Sequence, residues 1–509
     1  MRNIFIIIII SVVCFNKTYS QDLLNSYSTG SISITPARMK YFDNNIYIAA
    51  NVTINNQTFP SVTKLDNNGT IIWQTRLDQQ GIVSDLEFVP QSGISGKDIL
   101  LVGETVSPLT TLDNMSFIWK VNDTGTHITC KLYNHTGNEG FTRIILHPNP
   151  IDVSYKYYIT GRRNVVFPTT ATNPSNSYKT LLYNIDENLN VNWSKNFEVT
   201  TGVPAGNEAQ FFNAIVPLPN GELYLLGSTF NLNTLDIDSG VRMTVNVNNA
   251  TVTGTGYRDR LRHEIKDGFF LNGEFHSSGY IENASFQKFG DINRLFFFGK
   301  TITNLSSFNG IVGIGNDLYT ISEKTGNPNA GKVMINRFNY TTTPFYTLNY
   351  SSSVSVTPSG VSTPFINSQL CIDGSNNILF SSSTNGALYF GRINSNLNSS
   401  TATSCYLPQT FSTANTTNDG NSYQWSFLTE TNTVTTSGQG ISFNLTKTTI
   451  CSPPTPCVLT VGFTNVSGNC GEVTFTPTVS GGTGPYNYTW DINCSAPPAA
   501  TTTQNPTYT

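Results

Sequence analysis

Residues 62–77 read VTKLDNNGTIIWQTRL. Val62 to Leu65 alternate apolar and polar side chains, the period of a strand with one buried face. Asp66-Asn67-Asn68-Gly69 then supplies turn-capping side chains and a glycine that tolerates positive φ. Ile71-Ile72-Trp73 resumes the β pattern, so the stretch is a hairpin. The same sentence returns in other words at FIWKVNDTGTHITCKLYN (117–134), LLYNIDENLNVNWSKNF (181–197) and KVMINRFNYTTTPFYTLNY (332–350).

Each hairpin is preceded by an apolar burst: NIYIAAN (45–51), DILLVGE (98–104), YYITGR (157–162), ELYLLGS (222–228), GFFLNGE (268–274), DLYTISE (317–323) and NILFSSS (377–383). A further short strand stands upstream, as in VSDLEFVP (83–90) and FTRIILHP (141–148). The hairpin turns begin near Asp66, Asn122, Asp186, Asn248, Gly290, Asn339 and Asn394. Four strands in every 40 to 65 residues, roughly, is the signature of a propeller blade. One such sheet leaves both faces wet, and stacking blades about an axis buries them. The reading is an all-β chain with a seven-bladed β-propeller over 28–408. The fifth unit is irregular: RLFFFGKT (294–301) serves either as its last strand or as the burst of another unit. The second option makes 258–290 an insertion and the propeller six-bladed.

The pattern K-L-D-x-N-G-x-I-x-W resembles the blade repeats of secreted proteins from Bacteroidetes-type bacteria and, more loosely, the outer hairpins of quinoprotein-like propellers. After Cys405 the pattern breaks. Residues 409–457 read as a β-rich connector ending in the Pro-rich CSPPTPC (451–457). From 458 onward, SGGTGPYNYTW (480–490) and QNPTYT (504–509) resemble a PKD domain or the related repeat of gliding adhesins. The resemblance implies an immunoglobulin-like sandwich with Trp490 in its core, interrupted at Thr509 and continued in a longer polypeptide.

Composition sets the address. Arg2, the apolar run Ile4–Phe15 and Thr18-Tyr19-Ser20 read as a signal peptide over 1–20, too short to span a bilayer. Export permits disulfides. Cys405, Cys451, Cys457, Cys470 and Cys494 are the candidates for bridges, with Cys451 open to Cys457 or to a partner elsewhere, and Cys130 the most isolated. Only 12% of residues are charged and the net charge is -4, which excludes a basic nucleic-acid footprint.

No zinc pair, phosphate loop or nucleophile elbow occurs, and neither a metal nor a cofactor is expected. Asp236-Ile-Asp238-Ser-Gly240 reads as a turn, with calcium as the lesser option. Asp66 and Asp186 read as turn formers. Arg162 and Arg163, after an inner strand, and Arg258, Arg260 and Arg262 on one strand face are the candidate ligand-binding residues; a charge-guarded edge is the plainer reading of the last three. The expected role is a secreted, cell-surface adhesin or structural protein whose propeller binds a glycan, a protein or another copy. The alternative is a secreted polysaccharide hydrolase or lyase. The two differ at the channel, where an adhesin needs no converging carboxylates and an enzyme would recruit them from acids such as Asp85, Glu87, Glu208 and Asp267.

Overall fold

The computed structural model describes residues 22–451, except 90–96, 107–113, 135–137, 147–156, 167–175, 200–207, 232–235, 248–250, 254–255, 260–262, 282–283, 291–295, 304–307, 324–330, 342–346, 359–360, 398–404, 430–432 and the single positions 252, 273, 357, 362, 410, 412 and 424; it also describes 460–467, 473–480 and 507–508. The expected signal peptide lies outside the described residues, as do Trp490, Cys457, Cys470 and Cys494. No described residue is helical.

The chain opens with β1 (Leu23–Ser28) and then runs through antiparallel four-stranded meanders. The first is β2 (Ile32–Phe42), β3 (Asn45–Ile54), β4 (Gln57–Asp66) and β5 (Ile71–Leu77). Next come β6 (Gly81–Val89), β7 (Asp98–Val106), β8 (Asn114–Val121) and β9 (His127–Asn134). After them follow β10 (Asn138–Leu146), β11 (Tyr157–Val166), β12 (Asn176–Ile185) and β13 (Val191–Val199). The chain continues with β14 (Glu208–Pro217), β15 (Leu223–Asn231), β16 (Asp236–Val245) and β17 (Gly256–Asp259), then β18 (His263–Leu271), β19 (Glu274–Ile281), β20 (Ala284–Gly290) and β21 (Phe296–Thr303). It proceeds to β22 (Gly310–Ile314), β23 (Asp317–Glu323), β24 (Val333–Thr341) and β25 (Thr347–Val356), and to β26 (Ile366–Ile372), β27 (Ile378–Thr384) and β28 (Ala387–Ile393). That last trio is completed by β1, which pairs with β28, so the two ends of the ring are zipped together.

The first strands touch one another in sequence: β2, β6, β10, β14, β18, β22, β26 and back to β2. They surround a central channel, and the later strands of each meander step outward. The apolar bursts are the second strands, and their lack of alternation has a plain cause. Ile46, Ile48 and Ala50 pack with Leu379 and Phe390 of the preceding meander, while Tyr47 and Ala49 pack with Leu86, Leu101 and Trp119 of the following one. Both faces of β3 are therefore core, which requires a continuous apolar run. Leu101 and Leu100 divide in the same way between two clusters.

The next strands are β29 (Tyr406–Gln409), β30 (Thr413–Tyr423), β31 (Trp425–Thr429), β32 (Thr433–Thr436), β33 (Gly440–Ser442) and β34 (Thr446–Cys451). The stretch read as a connector is in fact a belt. β29 pairs with β25, β30 with β21 and then β17, β31 with β13, β32 with β9, β33 with β5 and β34 with β1. Counting backward by fours, it adds a strand to the outer edge of every meander and covers hydrogen-bonding groups that would otherwise be open.

The result is an all-β propeller of six sheets, and the expected seven separate blade sheets are not matched. The physical reason is β30, long enough to join β17 to β21 and fuse two meanders into one nine-stranded sheet. Residues 258–290 are woven into that sheet by β18–β20 and do not form an insertion. In the fifth unit the expected burst falls one strand early, since Gly268–Leu271 ends the inner strand β18. Asp236–Gly240 opens strand β16 and is not a turn.

The second unit, within 452–509, shows one three-stranded sheet of β35 (Thr460–Ser467), β36 (Val473–Ser480) and β37 (Thr507–Tyr508) among its described residues. That sheet does not amount to the expected immunoglobulin-like sandwich.

Candidate active site in the central channel

Six of the seven inner strands share a defect, and β22 pairs with β23 in continuous register. Their pairing with the second strands slips between Pro36 and Arg38 in β2, Val83 and Asp85 in β6, Phe141 and Arg143 in β10, Phe212 and Ala214 in β14, Ile265 and Asp267 in β18, and Ile366 and Gln369 in β26. A bulge kinks the strand and re-aims the side chain that follows it. The freed main-chain groups are met by the preceding meander: Asn51 accepts from Val83 N at 2.7 Å and donates to Val83 O at 3.2 Å, and Ser228 Oγ accepts from Ile265 N at 2.9 Å. The bulges in β6 and β18 are thus fixed in place.

Four of the residues that follow a bulge are charged, and they meet. Arg38 Nη1 lies 3.1 Å from Asp267 Oδ2, and Arg38 Nε lies 3.4 Å from Asp85 Oδ1. β2 reaches β18 only through β26 and β22, or through β6, β10 and β14. The Arg38–Asp267 bond is therefore a chord across the channel. Arg143 makes another, from β10 to the main-chain oxygen of Lys266 on β18 at 3.4 Å, and its Nε is buried without a hydrogen-bond partner. Lys40 and Glu87, two residues along β2 and β6, form a further pair at 2.9 Å.

The carboxylates are held by main chain as well. Asp85 accepts from Leu86 N at 2.9 Å and Ile144 N at 3.0 Å, and Asp267 accepts from Gly268 N at 3.0 Å. Side-chain exposure is 2% for Asp85, 9% for Asp267 and 21% for Arg38, so solvent reaches the cluster on the arginine side. Burial opposes the charge on Arg38, but Asp267 and Asp85 outweigh it and lift its pKa above the ordinary value. Arg143 goes the other way. Burial and then the repulsion of Arg38 lower its pKa, and Asp85 and Asp267 offset this only in part. Arg143 is a cation short of anionic partners.

Of the sequence candidates, Asp85 and Asp267 are brought together, Glu87 sits one step along the channel paired to Lys40, and Glu208 lies on β14. Arg162 and Arg163 are on β11, one strand out from the channel. Arg162 Nη2 contacts both oxygens of Glu104 at 3.0 and 3.1 Å, and Arg163 lies 3.5 Å from Glu139. Arg258 is on β17, and Arg260 and Arg262 lie outside the described residues. Sequence reasoning missed Arg38 and Arg143. Each stands on an inner strand at a bulge, and the unequal loops between first and second strands hide that shared level. Among the described residues no group of three His, Cys, Asp or Glu could hold a metal ion, and no helix is long and apolar enough to cross a membrane.

No family model and no curated protein matches the chain, so nothing supports the resemblance to PKD or gliding-adhesin repeats. Among solved structures it is similar to the polysaccharide lyase Uly1, with a TM-score of 0.42 and 10% identity over 71% of this chain and 90% of that one. It is also similar to the phage phi92 endosialidase, with a TM-score of 0.36 and 9% identity over 74% of this chain and 69% of that one. These likenesses bear on the fold alone. The expectation of an adhesin is corrected at the channel, where Asp85 and Asp267 converge on Arg38.

Proposed function

We propose that the chain is an exported enzyme acting on an acidic polysaccharide at the channel cluster. The observation that carries the reading is the meeting of Asp85, Asp267, Arg38 and Arg143 from four different inner strands. An under-neutralised arginine beside two carboxylates suits a substrate that brings its own carboxylate. That anion would pair with Arg143 and compete with Asp267 for Arg38.

Asp267 is the candidate base. It has fewer donors than Asp85 and is the more reachable of the two. In a β-elimination it takes the proton α to the substrate carboxylate. The glycosidic C–O bond at the β carbon breaks, the leaving oxygen takes the proton that Asp267 has removed, and an unsaturated uronate remains. The arginines stabilise the negative charge that builds on the substrate carboxylate. Asp85, gripped by two main-chain donors, positions Arg38. In this reading the nine-stranded sheet counts as two blades, because β14–β17 and β18–β21 each repeat the four-strand order.

The test is a panel of acidic and neutral polysaccharides, followed by ultraviolet absorbance of unsaturated products and by new reducing ends. Absorbance with acidic substrates supports elimination, whereas reducing ends without it indicate hydrolysis by the same carboxylates. Asp267→Asn is expected to lower kcat by about 100-fold or more. Silence across the whole panel overturns the reading.

A further inference from the structure

We propose that the disulfide between Cys405 and Cys451 is a clasp that closes the belt into a covalent hoop around the propeller and guards the closure of the ring. The two cysteines are 46 residues apart in sequence, with Cα atoms 6.5 Å apart, and they are the two ends of the belt. Between them the chain visits β25, β21, β17, β13, β9, β5 and β1 in order. Both cysteines are buried in one cluster with Leu24, Phe380 and Tyr406. Tyr406 also donates to the main-chain oxygen of Leu23 on β1 at 2.6 Å. The clasp therefore lies where the N-terminal strand completes the ring.

Three of the six belt strands are weak singly. β33 has three residues, β29 and β32 have four, and Leu407, Val434 and Ile441 are 42%, 39% and 41% exposed. Short strands with few buried side chains open at little cost. A free Cys451 end would peel β34 from β1, then β33 from β5, then β32 from β9. With both ends bonded, peeling has nowhere to start. Loss of β34 would also uncover β1, which sits between β28 and β34. In the reductive step a dithiol supplies two electrons and two protons. The S–S bond breaks, Cys405 and Cys451 become thiols, and the reductant becomes a cyclic disulfide.

The experiment is hydrogen–deuterium exchange on the full chain in native buffer, with and without dithiothreitol, alongside Cys451→Ser and the double variant Cys405→Ser/Cys451→Ser. Reduction of the folded wild type keeps the test independent of whether the variants fold. Exchange in β34 is expected to quicken by about tenfold or more on reduction, with a smaller gain in β33 and least in β29. The melting temperature is expected to fall by about 4–5 °C, and the double variant should no longer respond to reductant. Unchanged exchange, an increase spread evenly over all meanders, a double variant that still responds, or a mapped Cys451–Cys457 bond would each overturn the proposal.

Discussion

Tyr27, on the strand that closes the ring, donates its phenolic proton to the main-chain oxygen of Gly69 at 2.5 Å. The contact joins one meander to the outer turn of the next, and it recurs. Tyr133 donates to Leu189 O at 2.8 Å, Tyr158 to Val247 O at 3.1 Å, Tyr319 to Ser395 O at 2.7 Å, and Tyr47 to Asp123 Oδ1 at 2.8 Å. The turns that carry Gly69 and Leu189 are held by Asp66 and Asp186: each Oδ1 accepts from main-chain N–H groups two and four residues on.

Removing one hydroxyl strands a buried carbonyl oxygen. Tyr27→Phe and Tyr133→Phe are each expected to cost about 1 kcal/mol, with nearly additive effects because the sites share no partner. Tyr41, whose hydroxyl reaches Asn44 at the surface, is the control, and Tyr41→Phe should leave denaturant midpoints unchanged. Equal effects at all three positions would mean that the recurring contact does not stabilise the ring.

Gly69 is needed for two reasons that can be separated. Its φ is +69°, and a Cβ there would stand 2.4 Å from Asn25 Nδ2 and 2.7 Å from Tyr27 Oη. Gly315 has φ +60° with nothing within 4 Å. Gly315→Ala measures the backbone cost alone, about 1 kcal/mol. Gly69→Ala adds the displacement of Tyr27 and Asn25 and is expected to cost about 2–4 kcal/mol. Matching values in denaturant titrations would show that the Tyr27 contact yields freely.

The propeller was legible because its local rules are strict. Turn chemistry at Asp66 and a two-faced core at Ile46–Ala50 leave marks in any single copy. The belt was not legible. Its strands are paired through the main chain, so Ile441 or Val434 need not be buried and no alternation forms. The site was half legible. Asp85 and Asp267 could be named as acids, but their convergence depends on bulges whose position no residue type announces. Arg38 and Arg143 carry no mark in the sequence for the same reason.

Arg38 holds two carboxylates that would otherwise face each other across the channel. Arg38→Met leaves Asp85 and Asp267 charged and unpaired, and is expected to destabilise the fold by about 2–4 kcal/mol, less than a fully buried pair because solvent reaches the arginine. Adding Asp85→Asn and Asp267→Asn to the same chain removes the stranded charges and should recover part of the loss. Denaturant titrations of the single and triple variants decide it, and a triple variant less stable than Arg38→Met would refute the bridging role.

His276, on β19, is fully buried, with its ring 4.7 Å from Tyr340 and 5.4 Å from Phe269. Burial lowers its pKa from 6.5 to about 3. The unfolded chain therefore binds a proton near pH 6.5 that the folded chain refuses until about pH 3. Stability from this group is complete above pH 6.5 and is lost as pH falls toward 3, by up to a few kcal/mol. Replacing the ring with the non-titrating His276→Phe should flatten the slope of unfolding free energy against pH within that window, whatever it does to stability at neutral pH. Parallel slopes for the two proteins would show that the proton is taken up without cost, and that His276 is not held neutral by its surroundings.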